Sequence, residues 1–324
     1  LQEIARIIRT LAQEEQPLYP FKERELKKII RACTEQGILV RSIYRTQDEV
    51  CGMKLAVSMK VDERCVMTVE EAAEFFSVLF DRRLLAERDS LFFLPGEYET
   101  IVFEEEAPFC ILTGMAKATR ENETVSGDTS SFIEQGNGKL IMALSDGMGS
   151  GMEACRESET VVELLEQFME SGFSQETAAR MVNSALLLKG REGMFSTVDI
   201  CAVDLYTGIC NFLKAGAAST FIKRDHWVES ITSESLAAGL VQQIDFETAT
   251  RKLYHGDYLI MMTDGVLDAL PDQKEEETMK EIIMDVHEES PKDFGRGILE
   301  RVLGYSDYHA RDDMTVLVAG VWKK

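Results

Sequence analysis

Apolar residues recur at helical spacing through the first part of the chain. Ile4, Ile7, Ile8 and Leu11 mark one helix, interrupted by Pro17 and Pro20. Leu26, Ile29, Ile30 and Cys33 mark a second, closed by Gly37. Two strand-like runs, 38–45 and 53–61, flank a polar turn. Thr68, with Glu71 three positions on, has the form of a capping box. The helix it opens carries Ala72, Phe75, Phe76, Leu79 and Phe80 on its apolar side. A Pro95-Gly96 break ends this region, which reads as a small α+β module over 1–97 that regulates or dimerises.

From Tyr98 onward the texture is strands with turn punctuation: TIVFEEE, FCILTGMAKAT, a polar loop ENETVSGD, then GKLIMALSDGMGSG. Two helices follow. The first carries Val161, Val162, Leu164, Leu165, Phe168 and Met169. The second, capped by Ser174 after Gly172, carries Ala178, Met181, Val182, Ala185 and Leu186. FSTVDICAVDL and ICNFLKAG read as a hairpin joined at Tyr206-Thr207-Gly208. Strands at 219–224 and 258–263, helices at 275–288 and 291–303, and the closing strand MTVLVAGVW complete residues 98–324. Strands, paired helices and more strands predict an α+β domain with mostly antiparallel sheets, not a βαβ repeat.

Composition narrows the function. The 324 residues carry a net charge of −22, with 45% hydrophobic and 28% charged residues, as in ordinary folded proteins. Residues 1–100 hold 18 acids and 15 bases (−3), and 101–324 hold 39 acids and 20 bases (−19). That field repels nucleic acid and concentrates divalent cations. The seven cysteines form no C-x-x-C pair, so neither a disulfide framework nor a thiolate zinc site is expected. Reduced thiols fit a cytoplasmic setting. No run reaches the roughly 18 apolar residues that span a bilayer, so no membrane contact is expected of this stretch. The chain begins at Leu1, which leaves room for a membrane-anchored longer protein.

The chemistry lies in a repeated small pattern. LIMALSDG and YLIMMTDG each run a buried strand into Ser/Thr-Asp-Gly, placing Asp146 and Asp264 at strand ends before a glycine. Ser126-Gly127-Asp128 precedes the first, and Arg311-Asp312-Asp313-Met314-Thr315 precedes the final strand. One Asp-Gly is commonly only a turn. Several carboxylates gathered without cationic partners make sense when hard divalent cations fill the site. Gly147 can add a carbonyl oxygen. The histidines, His226, His255, His287 and His309, are scattered, and only His309, near Asp312, is a candidate proton donor.

The succession VSGD, SDGMGSG, MTDGV, DDMTV resembles the metal-dependent serine/threonine phosphatases of the 2C type. More narrowly, it resembles the bacterial branch of stage II sporulation protein E and the regulators of stress sigma factors. The stretch IVFEEEAPFCILTG and the region 62–95 favour the sporulation members. The resemblance implies a two-layer antiparallel β-sandwich flanked by helices, with metals at one edge. It implies two ions, Mn2+ or Mg2+. Asp146 would bridge them, Gly147 would give a carbonyl, Asp264 and Asp312 would complete one ion, and Asp128 would bind directly or through water. It also implies a substrate, a phosphorylated anti-sigma-factor antagonist protein whose dephosphorylation activates a sporulation sigma factor. The absence of a Cys-x5-Arg signature agrees with attack by water without a phosphoenzyme. A homodimer or higher oligomer is expected. The competing reading is a regulatory interaction protein whose metal site is empty until a partner rearranges the helices over 152–189.

Overall fold

The structure, a computed structural model, describes residues 18–46, 52–62, 64–87, 90–135, 138–149, 151–188, 195–242, 244–271 and 273–324. The helix expected around Ile4–Leu11 lies outside them. The chain forms two compact units, Leu1–Ala107 and Pro108–Lys324. Among the described residues, no helix is long and apolar enough to cross a membrane.

Among its described residues, the first unit holds one antiparallel sheet and two helices. Strands β1 (Leu18–Pro20), β2 (Ile38–Thr46), β3 (Lys54–Val61), β4 (Leu84–Ala86) and β5 (Glu99–Glu105) lie in the order β1-β2-β3-β5-β4. Helices α1 (Glu23–Glu35) and α2 (Val69–Phe80) cover it. The capping box forms: Thr68 accepts from the Glu71 N–H, and the Glu71 carboxylate accepts from the Thr68 N–H. Gly37, at φ +78°, ends α1's turn in the left-handed region where a side chain would strain. Phe76 and Phe103 meet at 5.1 Å in a core that also holds Leu55, Val57, Met59 and Ile101.

The first unit therefore extends ten residues beyond the expected boundary at 97. Strand β5, assigned from its texture to the second domain, pairs instead with β3, Val57 opposite Ile101. Alternation marks a strand but carries no information on which sheet it joins.

The second unit is a sandwich of two five-stranded antiparallel sheets. One orders as β13-β10-β9-β8-β7, from β7 (Asp128–Gln135), β8 (Lys139–Asp146), β9 (Val198–Asp204), β10 (Ile209–Ala215) and β13 (Glu247–Lys252). The other orders as β12-β11-β14-β15-β6, from β6 (Phe109–Ala118), β11 (Thr220–Arg224), β12 (Trp227–Ile231), β14 (Tyr258–Met262) and β15 (Met314–Lys323). Helices α3 (Gly151–Glu170) and α4 (Gln175–Leu188) pack on the outer face of the first sheet. The single turn α5 (Asp264–Leu267) and helices α6 (Glu275–Asp285) and α7 (Pro291–Gly304) pack on the second. Between the sheets lie Met142, Leu144, Cys201, Phe212, Ile222, Met261 and Leu317, all buried. The helices and the 206–208 hairpin fall where the periodicity places them. Strands β7, β12 and β13 and the turn α5 were not read from it.

Because β5 sits between β3 and β4, a fragment of residues 18–97 leaves β4 unpaired and β3 as an open edge, and removes Ile101 and Phe103 from the core. Each such side chain contributes about 1.5–3 kcal/mol when buried. A fragment of residues 18–107 is therefore expected to melt cooperatively by circular dichroism, and 18–97 is not. Equal melting of the two would contradict the assignment of β5.

Candidate metal centre

Side chains alternate across a strand, so the inward-facing positions of both sheets can be followed to the sandwich edge. Along β8 they run Met142, Leu144, Asp146. Asp128, the first residue of β7, lies directly opposite Asp146, the last of β8. The rows are apolar in the middle and carboxylate at this end. Asp264 follows β14 at the same edge and begins α5, and Asp312 immediately precedes Asp313 and β15.

Two glycines let these turns approach closely. A Cβ on Gly147 would lie 2.0 Å from the Ala154 carbonyl oxygen, within the first turn of α3. A Cβ on Gly265 would lie 2.2 Å from the Asp313 carbonyl oxygen and 3.2 Å from the Asp312 Cβ. The second contact places the Asp264 and Asp312 turns side by side. Gly147 donates its N–H to the Gly127 carbonyl at 3.2 Å, joining the turns before Asp128 and after Asp146.

Asp128 is buried and clamped on one oxygen. Its Oδ2 accepts from the Thr315 hydroxyl at 2.7 Å and the Thr263 hydroxyl at 2.9 Å, while Oδ1 is buried without a hydrogen-bond partner. Lys117 Nζ donates to the Asp128 backbone oxygen at 3.0 Å. Asp146 is fixed through its backbone: its N–H donates to Thr197 Oγ1 at 2.7 Å, and its carbonyl accepts from the Ser196 hydroxyl and the Thr197 N–H.

The two neighbouring aspartates of the DDMT turn differ completely. Asp313 is buried, and both its oxygens are taken, Oδ1 by the Arg120 N–H (2.8 Å) and Oδ2 by the Gly127 N–H (2.7 Å). It anchors the loop that delivers Asp128. Asp312 is exposed, with Oδ1 accepting from the Asp313 N–H at 2.9 Å. Asp264 is exposed too, its Oδ1 accepting from the Gly265 N–H. His309 pairs with Glu121 at 3.2 Å, both well exposed, and makes no contact with the carboxylates.

The electrostatics follow from this crowding. Burial, then the charges of Asp128 and Asp264, push the Asp146 carboxyl up to about 9. Burial also pushes Asp128 up to about 6, against the pull of the Thr315 and Thr263 hydroxyls. Carboxylates this close retain protons when no other cation is supplied. Among the described residues, no three His, Cys, Asp or Glu side chains stand as a finished ligand set. The donors are nevertheless all hard oxygens, and a buried carboxylate oxygen with no partner is the feature a hard cation satisfies. The residues fit such an ion in kind.

Thr263, Thr315 and Thr197 were given no role from the sequence, and Asp313 stood there only beside Asp312, the acid preferred as ligand. Thr263 and Thr315 stand inside the T-D-G and D-D-M-T patterns, so a fixed hydroxyl beside each acid was the available signal.

The family model described as Stage II sporulation protein E (SpoIIE) matches residues 136–322. The chain is 31% identical to the stage II sporulation protein E of Bacillus subtilis, over 77% of this chain and 30% of that protein. It is 35% identical to that of Priestia megaterium, over 69% of this chain and 39% of that protein. The chain thus spans about a third of the length of these relatives. The solved structure of the PP2C phosphatase domain and a fragment of the regulatory domain of the cell fate determinant SpoIIE from Bacillus subtilis matches with a TM-score of 0.74 and 27% identity, covering 100% of this chain and 92% of that one. The chain belongs to the stage II sporulation protein E family, and its second unit has the 2C-type phosphatase fold.

Proposed function

We propose that this chain is a divalent-metal-dependent serine/threonine phosphoprotein phosphatase. The observation that carries the reading is the Asp128–Asp146 pair facing across adjacent strands, with the Asp128 Oδ1 buried and unpartnered. Asp128, Asp146, the Gly147 carbonyl, Asp264 and Asp312 would hold two Mn2+ or Mg2+ ions. Bound there, such ions lower the pKa of a coordinated water and offset the charge on phosphoryl oxygens.

The protein's own part is positional. Thr263 and Thr315 fix Asp128 through one oxygen, and Thr197 with Ser196 fixes the Asp146 backbone. Asp313 holds the loop before Asp128. Asp264 and Asp312 are exposed at the same edge, where a phosphorylated side chain would reach the carboxylates from solvent. Family membership supports a phosphorylated anti-sigma-factor antagonist as substrate, sporulation sigma-factor activation as outcome, and a cytosolic location. The first unit, 18–107 in its described part, would serve as the regulatory or dimerising module.

The absence of a finished ligand set among the described residues favours a second reading. In it the carboxylates converge only after a partner repositions α3 and α4, and basal turnover is low.

Hydrolysis of a phosphoserine-bearing antagonist protein is expected to require added Mn2+, and Asp146→Asn to lower turnover at least about 100-fold, beyond what loss of an outer-shell contact costs. Equal turnover in chelator and in Mn2+ would refute the proposal.

The folded values of about 6 for Asp128 and about 9 for Asp146 lie above the unfolded carboxylate value of about 3.9. The folded metal-free chain thus holds protons that the unfolded chain releases. The resulting stability is complete below about pH 4 and is lost as pH rises through about 6 and then about 9. Scanning calorimetry in chelator should show this fall, and Mn2+ should raise the melting temperature more at pH 8 than at pH 5. A metal-induced gain independent of pH would contradict the assignment.

A further inference from the structure

Next to the carboxylate edge lies a buried ion pair that the reading above leaves unused. Asp199, on β9, sits opposite Leu144 on one side and Lys214 on the other. Alternation therefore puts its side chain on the same inward face as Asp146, two positions along β8 from Leu144. Lys214 Nζ donates to Asp199 Oδ2 and, at 2.9 Å, to Thr220 Oγ1. The Lys214 and Asp199 side chains are only 1% and 2% exposed. Asp199 Oδ1 is buried with no partner.

Asp199, the residue that carries this orphaned oxygen, lines a small cavity together with Asp146, Asp264, Thr197, Thr263 and the Gly216–Ala218 turn. Three carboxylates share its walls with Leu144 and Met262, and a carboxylate oxygen only accepts hydrogen bonds. The cavity's occupant must therefore donate. Water does so, and water bound to a cation does so most strongly, because its protons point away from the metal.

The pair has little reason to exist for stability. Withdrawing two charges from water costs several kcal/mol per ion, and well-packed apolar replacements of buried pairs are often neutral or stabilising. Its geometry suits orientation instead. Lys214 and Thr220 occupy Oδ2, which leaves Oδ1 as the acceptor still open. The small residues Gly216, Ala217 and Ala218 keep that space open.

We infer that Asp199, held by Lys214 and Thr220, is a positioning residue that accepts a hydrogen bond through this cavity from the hydration shell of a divalent cation at Asp146 and Asp264. The inference rests on the metal reading proposed above. Outer-shell acceptors of this kind typically change metal affinity 10–100-fold.

The test is Mn2+ titration by calorimetry on the whole chain, with thermal melting of the metal-free protein alongside. Lys214→Met alone should lower stability, because it leaves the Asp199 charge uncompensated. The double variant Asp199→Asn with Lys214→Met should recover the parent's metal-free melting temperature yet bind Mn2+ about 10–100-fold more weakly. Ala217→Val narrows the cavity while keeping both Asp199 and Lys214 and should weaken Mn2+ binding in the same direction, which keeps the test open if the double variant folds poorly. Parental Mn2+ affinity in a folded double variant, or in Ala217→Val, would overturn the inference and leave the metal reading intact. Failure of the parent chain to bind Mn2+ would overturn both.

Discussion

Like charges directly opposite one another in an antiparallel ladder are unfavourable, and the second unit is built around one such pair. Asp128 and Asp146 occupy the last rung between β7 and β8. What surrounds them manages that repulsion. Two threonine hydroxyls from β15 and the end of β14 secure one oxygen of Asp128, Lys117 approaches its backbone, and Asp313 holds the loop that leads to it. None of these neutralises the pair. The charge is left for protons or cations to answer, and burial, reinforced by the neighbouring carboxylates, pushes the Asp146 carboxyl up.

The position of the pair in the sandwich is equally constrained. In the middle of the sheets the inward rows are Met142, Leu144, Cys201, Phe212 and Leu317, and a carboxylate there would be stranded in apolar surroundings. Toward the edge the same rows turn polar: Asp146 after Leu144, Asp199 before Cys201, Lys214 after Phe212, Thr315 before Leu317. The change comes one inward position earlier on β9 and β10, where Asp199 and Lys214 lie level with Leu144, than on β8. The site is thus the end of the core, reached from solvent through Asp264 and Asp312 and closed behind by the Asp199–Lys214 pair.

The main acids were legible because their backbone context is distinctive. A buried strand running into Asp-Gly demands a sharp turn, and Gly147 and Gly265 prove to be sites of close approach to Ala154 and Asp313. The helices of both units were legible from periodicity, and Thr68 with Glu71 from capping chemistry. Asp312 and Asp313 could not be given separate structural roles by their neighbours alone, since burial and the two N–H donors that occupy Asp313 come from residues almost 200 positions away. Asp199 and Lys214 were hidden for a similar reason. Each reads as one polar residue in a strand, and only the register between β9 and β10 joins them. The allegiance of β5 is a third case, because sheet membership is a long-range property.

Helix α3 ties the acidic edge to the outer layer. Its first turn lies against Gly147 through the Ala154 carbonyl and against Gly127 through the Ala154 Cβ. One turn later Ser158 shares a hydrogen bond with Thr129, the residue after Asp128, at 2.8 Å. The placement of α3 is therefore coupled to the turns that carry Asp128 and Asp146: Gly147 leaves no room for a side chain against Ala154, and Gly127 and Thr129 lie on either side of Asp128. Packed interiors respond to such displacements by changing between discrete arrangements and not by smooth deformation. On the metal reading proposed above, a movement of α3 that changed the separation of the two carboxylates would change the affinity for a cation they share. Helix α3 is the element of the outer layer that touches the turns of both Asp128 and Asp146.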